Sequence, residues 1–367
     1  MNFVSVIMLI FSILGALDRI LGNRFGIGKE FERGFMLLGN MALSMIGMLV
    51  ISPLLAIWLA PCFEWVYQTL HIDPSIIPAS LFANDMGGAS LSQEIAKNEP
   101  LGMFNALVVS SMMGCTISFT VPYALGVVNK EHNRELFLGL LCGIVTVPVG
   151  CFVAGLLLGL PILTLLVDLL PLIVFAAVVA VGLLVAPNVT VKIFSVVGVI
   201  IKIVITIGLA LGIAEFLTGK ELIPGLDDID VGADICVNAA IVLSGAFPLM
   251  YFVSKLLSKP MKKLGSLLGI NETAALGFVS TLVTNATSLE MMNRMDKKGV
   301  LLNAAFAVSA SFVFGSHIAF TMAIDTSYII PMIIAKLVGG MAALLLAVLI
   351  YHRLYRQEQV SPVNDNI

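Results

Sequence analysis

Unbroken apolar stretches of about twenty residues constrain this chain more than any other feature. A hydrocarbon core about 30 Å thick offers backbone groups no water, so segments of this length cross it as helices. Nine stretches qualify, at about 2–20, 35–59, 103–127, 136–159, 163–186, 193–218, 236–257, 300–323 and 329–351. A membrane β-barrel would show short alternating segments instead. Composition agrees. The 367 residues are 59% hydrophobic and only 12% charged, about half the charge of a soluble domain. The fold class is therefore an all-α polytopic membrane protein, and lipid is its main surroundings.

Two polar-interrupted segments remain, 74–95 and 271–292, and they look like copies of one unit. Ser90-Leu91 matches Ser288-Leu289, and Asn105-Ala106 matches Asn303-Ala304 at the same spacing. After a three-residue slip, Gly114, Phe119 and Thr120 match Gly315, Phe320 and Thr321. Each copy has a short apolar run, a polar break, an amphipathic run and then a long apolar segment. The two segments either cross, giving ten or eleven spans, or enter and return as re-entrant hairpins.

Lys and Arg arbitrate, because cytoplasmic loops hold their excess. With both segments re-entrant and the N-terminus outside, sixteen Lys and Arg fall inside and only Lys97 and Lys220 outside. With both crossing, the split is eleven to seven. Re-entry is thus favoured, with the C-terminus in the cytoplasm. The halves are then inverted, as in many secondary transporters. The expected organisation is a first half at 1–159, a connecting helix at 160–191, a second half at 192–356, and a disordered polar tail at 357–367. The N-terminus has no basic stretch before its apolar run, which is read as a retained first span.

Broken backbone at membrane depth survives where protein or water satisfies its polar groups, which makes a break a small-ligand site. The first break offers Asn84, Asp85 and Ser90, with Gly87 and Gly88 to permit unusual dihedrals. The second offers Thr284, Asn285, Thr287 and Ser288. Asp85 is the sharpest candidate, a carboxylate suited to a cationic substrate, a sodium ion or a proton; the bland alternative is a helix-capping turn residue. Glu272 has a similar claim and the same alternative. Asn105 and Asn303, one turn into their spans, either reach the same cavity or act as interhelical glue.

Other intramembrane polar groups need partners, since a charge at a helix centre costs about 2.5–3.5 kcal/mol on insertion scales. Asp168 and Lys336 lie at similar estimated depths and are expected to pair. Lys202 has no nameable partner. His317 reads first as hydrogen-bonded structure and second as a proton relay. Trp58, Trp65 and Tyr67 read as an interface belt, and 62–70 as a segment along the membrane surface. Gly339-Gly340 permits close helix packing within or between protomers, so a homodimer is compatible with the chain.

The five cysteines are scattered, and no metal or redox framework follows from them. No nucleotide-binding, hydrolase or metalloprotease motif is present, so no cofactor, metal or catalytic residue is expected. No basic tract points to nucleic acid. The expectation is a carrier and not an enzyme, with a membrane enzyme or sensory subunit as the other class.

Three stretches carry a family resemblance: GFMLLGNMALSMIGM (34–48), LFANDMGG (81–88) and NETAALGFVSTLVTNATSLEMM (271–292). They resemble the EutH family, the ethanolamine permeases of bacterial ethanolamine-utilisation operons. The resemblance extends over nearly the whole chain apart from the tail. It implies uptake of ethanolamine across the bacterial inner membrane for catabolism. It supplies no residue-level mechanism, so the site residues above rest on the sequence itself. Ethanolamine is a short chain with an ammonium and a hydroxyl. Asn84 and Asp85 suit the first, and Asn285, Thr287 or Ser288 the second. The alternative is a carrier for another small polar solute, coupled to protons or sodium.

Overall fold

The computed structural model describes residues 3–360, whose regular secondary structure is helical, with no strand among them. Among the described residues, eight helical stretches are long and apolar enough to cross a membrane. The protein is a multi-pass membrane protein.

In chain order, α1 is Phe3–Ile20, α2 Ile27–Met36 and α3 Leu38–Leu70. The first interrupted segment gives α4 (Ile76–Leu81), a single tight turn at Asn84–Met86, and α5 (Gly88–Ile95). The third span is continuous from Glu99 to Val127 but changes pitch. It opens as α6 (Glu99–Phe104), widens to π-helix over Asn105–Gly114 and Thr116–Thr120, and closes as α7 (Val121–Val127). Then come α8 (Asn133–Leu157), α9 (Ile162–Val185), α10 (Pro187–Thr218) and α11 (Ile229–Leu268). The second interrupted segment gives α12 (Glu272–Val283) and α13 (Asn285–Met291). The chain ends with α14 (Lys297–Ala310), α15 (Ser316–Ile324) and α16 (Ile329–Val360).

Both interrupted segments are hairpins. The Asp73 carboxylate accepts the backbone N–H of Ser75 at 3.0 Å, of Lys97 at 3.0 Å and of Asn98 at 2.8 Å. The start and end of the first segment are therefore held together, and a segment tied at its ends cannot cross. In the second, Asp296 accepts the Asn271 N–H at 2.7 Å, and the Asn271 side chain donates to the Arg294 carbonyl at 2.9 Å. The same positions exchange their side chains. Asn98 caps α6 through the Leu101 N–H and Asp296 caps α14 through the Gly299 N–H. These contacts leave ten or eleven spans without physical support.

One expected span is broken. The sequence reads 300–323 as a single helix, but α14 stops at Ala310 and α15 begins at Ser316. Phe312 stands at φ 59°, and its N–H donates to the Thr281 carbonyl at 3.1 Å. The Phe314 N–H donates to the Leu282 carbonyl at 2.8 Å. The break thus trades helix hydrogen bonds for bonds to the end of α12, which keeps its backbone satisfied at depth.

Two bundles result. A peripheral bundle contains α1, α2, α3, α10 and α11, with α3 lying on α10 and α11. A hairpin bundle contains the two hairpins, the third span, α8, α9, α14, α15 and α16, with α8 packed on α14 and α16. They meet where α11 lies against α12 and α15, and α3 against α5. The third span is the centre of the protein: 94% of its apolar window is buried, against 17–56% for the other seven.

The 62–70 segment forms the last turns of α3. Trp58, Trp65 and Tyr67 are exposed on it. Gly339 packs on Ser309 and Gly340 on Phe306, so this small-residue face serves packing within one subunit. Helix α16 runs on to Val360, into the segment read as a tail; residues 361–367 lie outside the described residues.

Candidate functional site

The tips of both hairpins reach one cavity. It measures about 320 Å³ and lies between the two bundles. The hairpin bundle contributes Ala83, Asp85 and Met86 from the first break, Val283 and Thr284 from the second, and Phe312, Ser316 and His317 from the third. The third span adds Cys115 and Phe119. The peripheral bundle supplies Arg33, Leu37, Asn40, Met41, Ser44 and Phe247. A larger cavity of about 480 Å³ shares Arg33, Phe247, Val283 and Thr284 with it and runs between α11 and α12. It forms a vestibule to the inner site, with the Arg33 guanidinium 5.0 Å from the Phe247 ring centroid at the junction.

Local backbone explains how the tips arrive there. The first chain turn leaves helix at Phe82, extended at φ −120°, and re-enters through Gly87 at φ 97°. Gly88 then packs directly on the Phe82 carbonyl, where a Cβ would collide. The second tip is extended at Thr284, φ −155°. Each tip is backed by a glycine in the following span. Gly114 lies against the Phe82 carbonyl oxygen and Gly315 against the Val283 carbonyl oxygen, and neither leaves room for a side chain. Phe82 and Val283 stand 201 residues apart, as do Gly114 and Gly315.

Asp85 is the one carboxylate lining the inner cavity, and the Ser316 side chain faces it. Among the described residues no Lys, Arg or His lies within 4.0 Å of it. Three rings, Phe119, Phe247 and Phe312, share its cavity, with Phe119 and Phe312 edge to face at 5.7 Å between centroids. A carboxylate with open acceptor sites beside aromatic rings suits a small organic cation.

The other sequence-derived candidates divide by place. Thr284 lines both cavities and Thr287 lines the vestibule. Asn84 and Asn285 lie fully buried just behind the tips. Asn285 donates to Thr120 Oγ1 at 2.8 Å, while both polar side-chain atoms of Asn84 lack a partner among the described residues. Ser288 is buried and its hydroxyl is likewise unpartnered. Ser90, half-buried on α5, does not line the cavity. Asn105 and Asn303 sit at the hairpin bases instead. Asn105 donates to Ser75 Oγ at 2.9 Å, and Asn303 to the Ala274 carbonyl at 2.9 Å. Glu272 is exposed in the first turn of α12, away from both cavities. No group of three or more His, Cys, Asp or Glu placed to hold a metal occurs among the described residues.

The expected Asp168–Lys336 pair does not form. Lys336 is fully buried and donates to the Ser111 carbonyl and to His317 Nδ1, the latter at 3.0 Å. Asp168, also buried, accepts from the Asn105 amide at 3.4 Å. Similar depth fixes neither helix rotation nor direction, and the two side chains turn to different neighbours. Lys202 is exposed on α10. The sequence did not place Phe119, Phe247, Phe312 or Ser316 in the site. Phe119 carried a signal, as half of a repeat match, and Ser316-His317 another, as polar residues inside an apolar span.

Comparison with known proteins decides the family. A family model described as "Ethanolamine utilisation protein, EutH" matches residues 1–350. The chain belongs to the EutH family. A EutH relative in Listeria monocytogenes, "Probable ethanolamine permease EutH", is 42% identical over 100% of this chain and 99% of its own length. A protein of the same name in Salmonella typhimurium is 36% identical over 95% of each chain. An uncharacterized Bacillus subtilis protein, YxeR, is 38% identical over 93% of this chain and 92% of its own. No solved structure matches the chain.

Proposed function

We propose that this chain carries ethanolamine, as the protonated amino alcohol, into the bacterial cytoplasm by alternating access, to supply ethanolamine catabolism. The observation that carries the reading is the convergence of both hairpin tips on one cavity whose only carboxylate, Asp85, has no salt bridge among the described residues. Ethanolamine's ammonium binds Asp85 beside the phenylalanine rings, and Thr284, Ser316 and His317 offer polar contacts to the hydroxyl. A hydrogen bond to a charged group contributes about 1.5–3 kcal/mol, so two or three contacts less ordering costs give weak, releasable binding. The permease names of the relatives support the substrate.

The halves at 1–159 and 192–356, joined by 160–191, form an inverted repeat in this reading. Matched contacts of Gly114 with Phe82 and of Gly315 with Val283 support it. Each half gives its first helices to the peripheral bundle and its hairpin and later helices to the hairpin bundle. The hairpin bundle, which holds most of the site, moves against the peripheral one. On the distribution of Lys and Arg, the N-terminus is outside, the C-terminus is cytoplasmic and the vestibule opens inward. The chain acts as a carrier and not as an enzyme, in the bacterial inner membrane.

The test is uptake of labelled ethanolamine into sealed proteoliposomes at low pH, with and without imposed proton and sodium gradients. Low pH suppresses passage of the uncharged amine through lipid. Saturable, protein-dependent uptake is expected, equilibrating for a facilitator and accumulating for a coupled carrier. Absence of protein-dependent uptake by correctly inserted, folded protein overturns the reading.

A further inference from the structure

The cavity holds a polar group that ammonium binding does not use. His317 opens α15 directly after the third break, is 1% exposed and lines the inner cavity with Asp85. Its Nδ1 lies 3.0 Å from Lys336 Nζ. Lys336, itself fully buried, also donates to the Ser111 carbonyl. An ammonium has three protons and no lone pair, so it can only donate. His317 Nδ1 is therefore the acceptor, and the imidazole carries its proton on Nε2. No described residue accepts a hydrogen bond from that Nε2–H. The Phe312 ring flanks the imidazole at 5.1 Å between centroids.

We propose that His317, set in one tautomer by Lys336, is the donor that recognises the substrate hydroxyl, so that the cavity selects short amino alcohols over plain alkylamines. The inference rests on the carrier reading above and deepens it. Asp85 can only accept and His317 Nε2 can only donate, so the pair discriminates the two ends of an amino alcohol. An ammonium bound at Asp85 finds its acceptor there. A hydroxyl oxygen bound at His317 finds its donor. A methyl group in the same place leaves a desolvated N–H without a partner, which is how a polar site rejects an analogue lacking the hydroxyl. Lys336 is a positioning residue: it touches His317 and not the substrate.

The experiment is competition against labelled ethanolamine uptake in proteoliposomes, with unlabelled ethanolamine and n-propylamine, in which a methyl replaces the hydroxyl. Wild-type protein prefers ethanolamine by at least about tenfold. In His317→Leu the ratio falls to within about twofold. His317→Gln keeps an N–H donor and recovers part of the preference. Lys336→Met frees the tautomer and also lowers the ratio. If His317→Leu transports nothing, the shift of its thermal unfolding midpoint by each amine reads the same ratio. A wild-type ratio retained in His317→Leu overturns the inference, as does a His317→Gln protein no more selective than His317→Leu. Wild-type protein that transports ethanolamine without preference over propylamine overturns it while leaving the carrier reading intact. Wild-type protein that responds to neither amine overturns the carrier reading itself.

Discussion

Asn285 donates its side-chain amide to the Thr120 hydroxyl at 2.8 Å, tying the second hairpin tip to the third span across 165 residues of sequence. The residues 201 positions away are Asn84 and Thr321. Those two are also fully buried, yet neither Asn84's amide nor Thr321's hydroxyl has a partner among the described residues. In an inverted repeat, the two ends of the transport cycle exchange the conformations of the halves. On the inverted repeat proposed above, the described state keeps one Asn–Thr pair closed, and the opposite state would close the other.

Thr120→Val and Thr321→Val are therefore expected to act in opposite directions. Thr287, exposed in the vestibule, reports the difference when replaced by cysteine in a Cys62→Ala background. Labelling of Thr287→Cys by a membrane-impermeant thiol reagent, from the side the vestibule faces, is expected to slow with Thr120→Val and to quicken with Thr321→Val. A net hydrogen bond of about 1 kcal/mol sets changes of roughly fivefold in the state populations. Equal effects of the two substitutions would count against exchange between the halves.

Gly114→Ala and Gly315→Ala are expected to destabilise the protein, because each Cβ would overlap a carbonyl oxygen of the facing hairpin. Neither backbone oxygen can swing aside, so about 1–3 kcal/mol or more of overpacking follows. Gly126→Ala, which meets only open space, is the control. Thermal unfolding in detergent checks this, with a lower midpoint for the first two and an unchanged or slightly higher one for the third.

Asp73→Asn is expected to loosen the first hairpin. One carboxylate there accepts three backbone N–H groups and the Ser75 hydroxyl at 2.6 Å. An amide turns one of its acceptors into a donor facing the Lys97 and Asn98 N–H groups, and hydrogen bonds to a charged acceptor are worth about 1.5–3 kcal/mol each. Limited proteolysis after the first hairpin measures the effect. Cleavage within 96–100 is expected to rise in Asp73→Asn and to stay at the wild-type level in Glu272→Gln, whose side chain is exposed.

The spans were legible because hydropathy is a local property, and eight crossing helices stand where apolar runs announced them. The first two breaks were legible because Asn84-Asp85 and Thr284-Asn285 interrupt apolar runs with polar residues. The third break was not. Phe312, Val313 and Phe314 keep 311–315 apolar, and what stops the helix is a pair of hydrogen bonds to Thr281 and Leu282, thirty residues earlier. The partner of Lys336 was equally hidden. Depth along a helix follows from residue number, but its rotation is set by packing, and packing turned Lys336 to Ser111 and His317. The clasp at Asp73 and Asp296 was missed for another reason: an acidic residue beside a helix start reads as an ordinary cap until both ends of the hairpin are seen together.

The proposed carriage requires ethanolamine to bind at the inner cavity through Asp85. The most direct measurement compares saturable uptake of labelled ethanolamine at low pH by wild-type protein and by Asp85→Asn, reconstituted at equal amounts of folded protein. The expected result is a loss of at least about tenfold in the variant, with its thermal stability retained, because the charged contact to the ammonium is gone. Uptake by Asp85→Asn at the wild-type rate and affinity would rule out binding through Asp85 and move the substrate away from the hairpin tips.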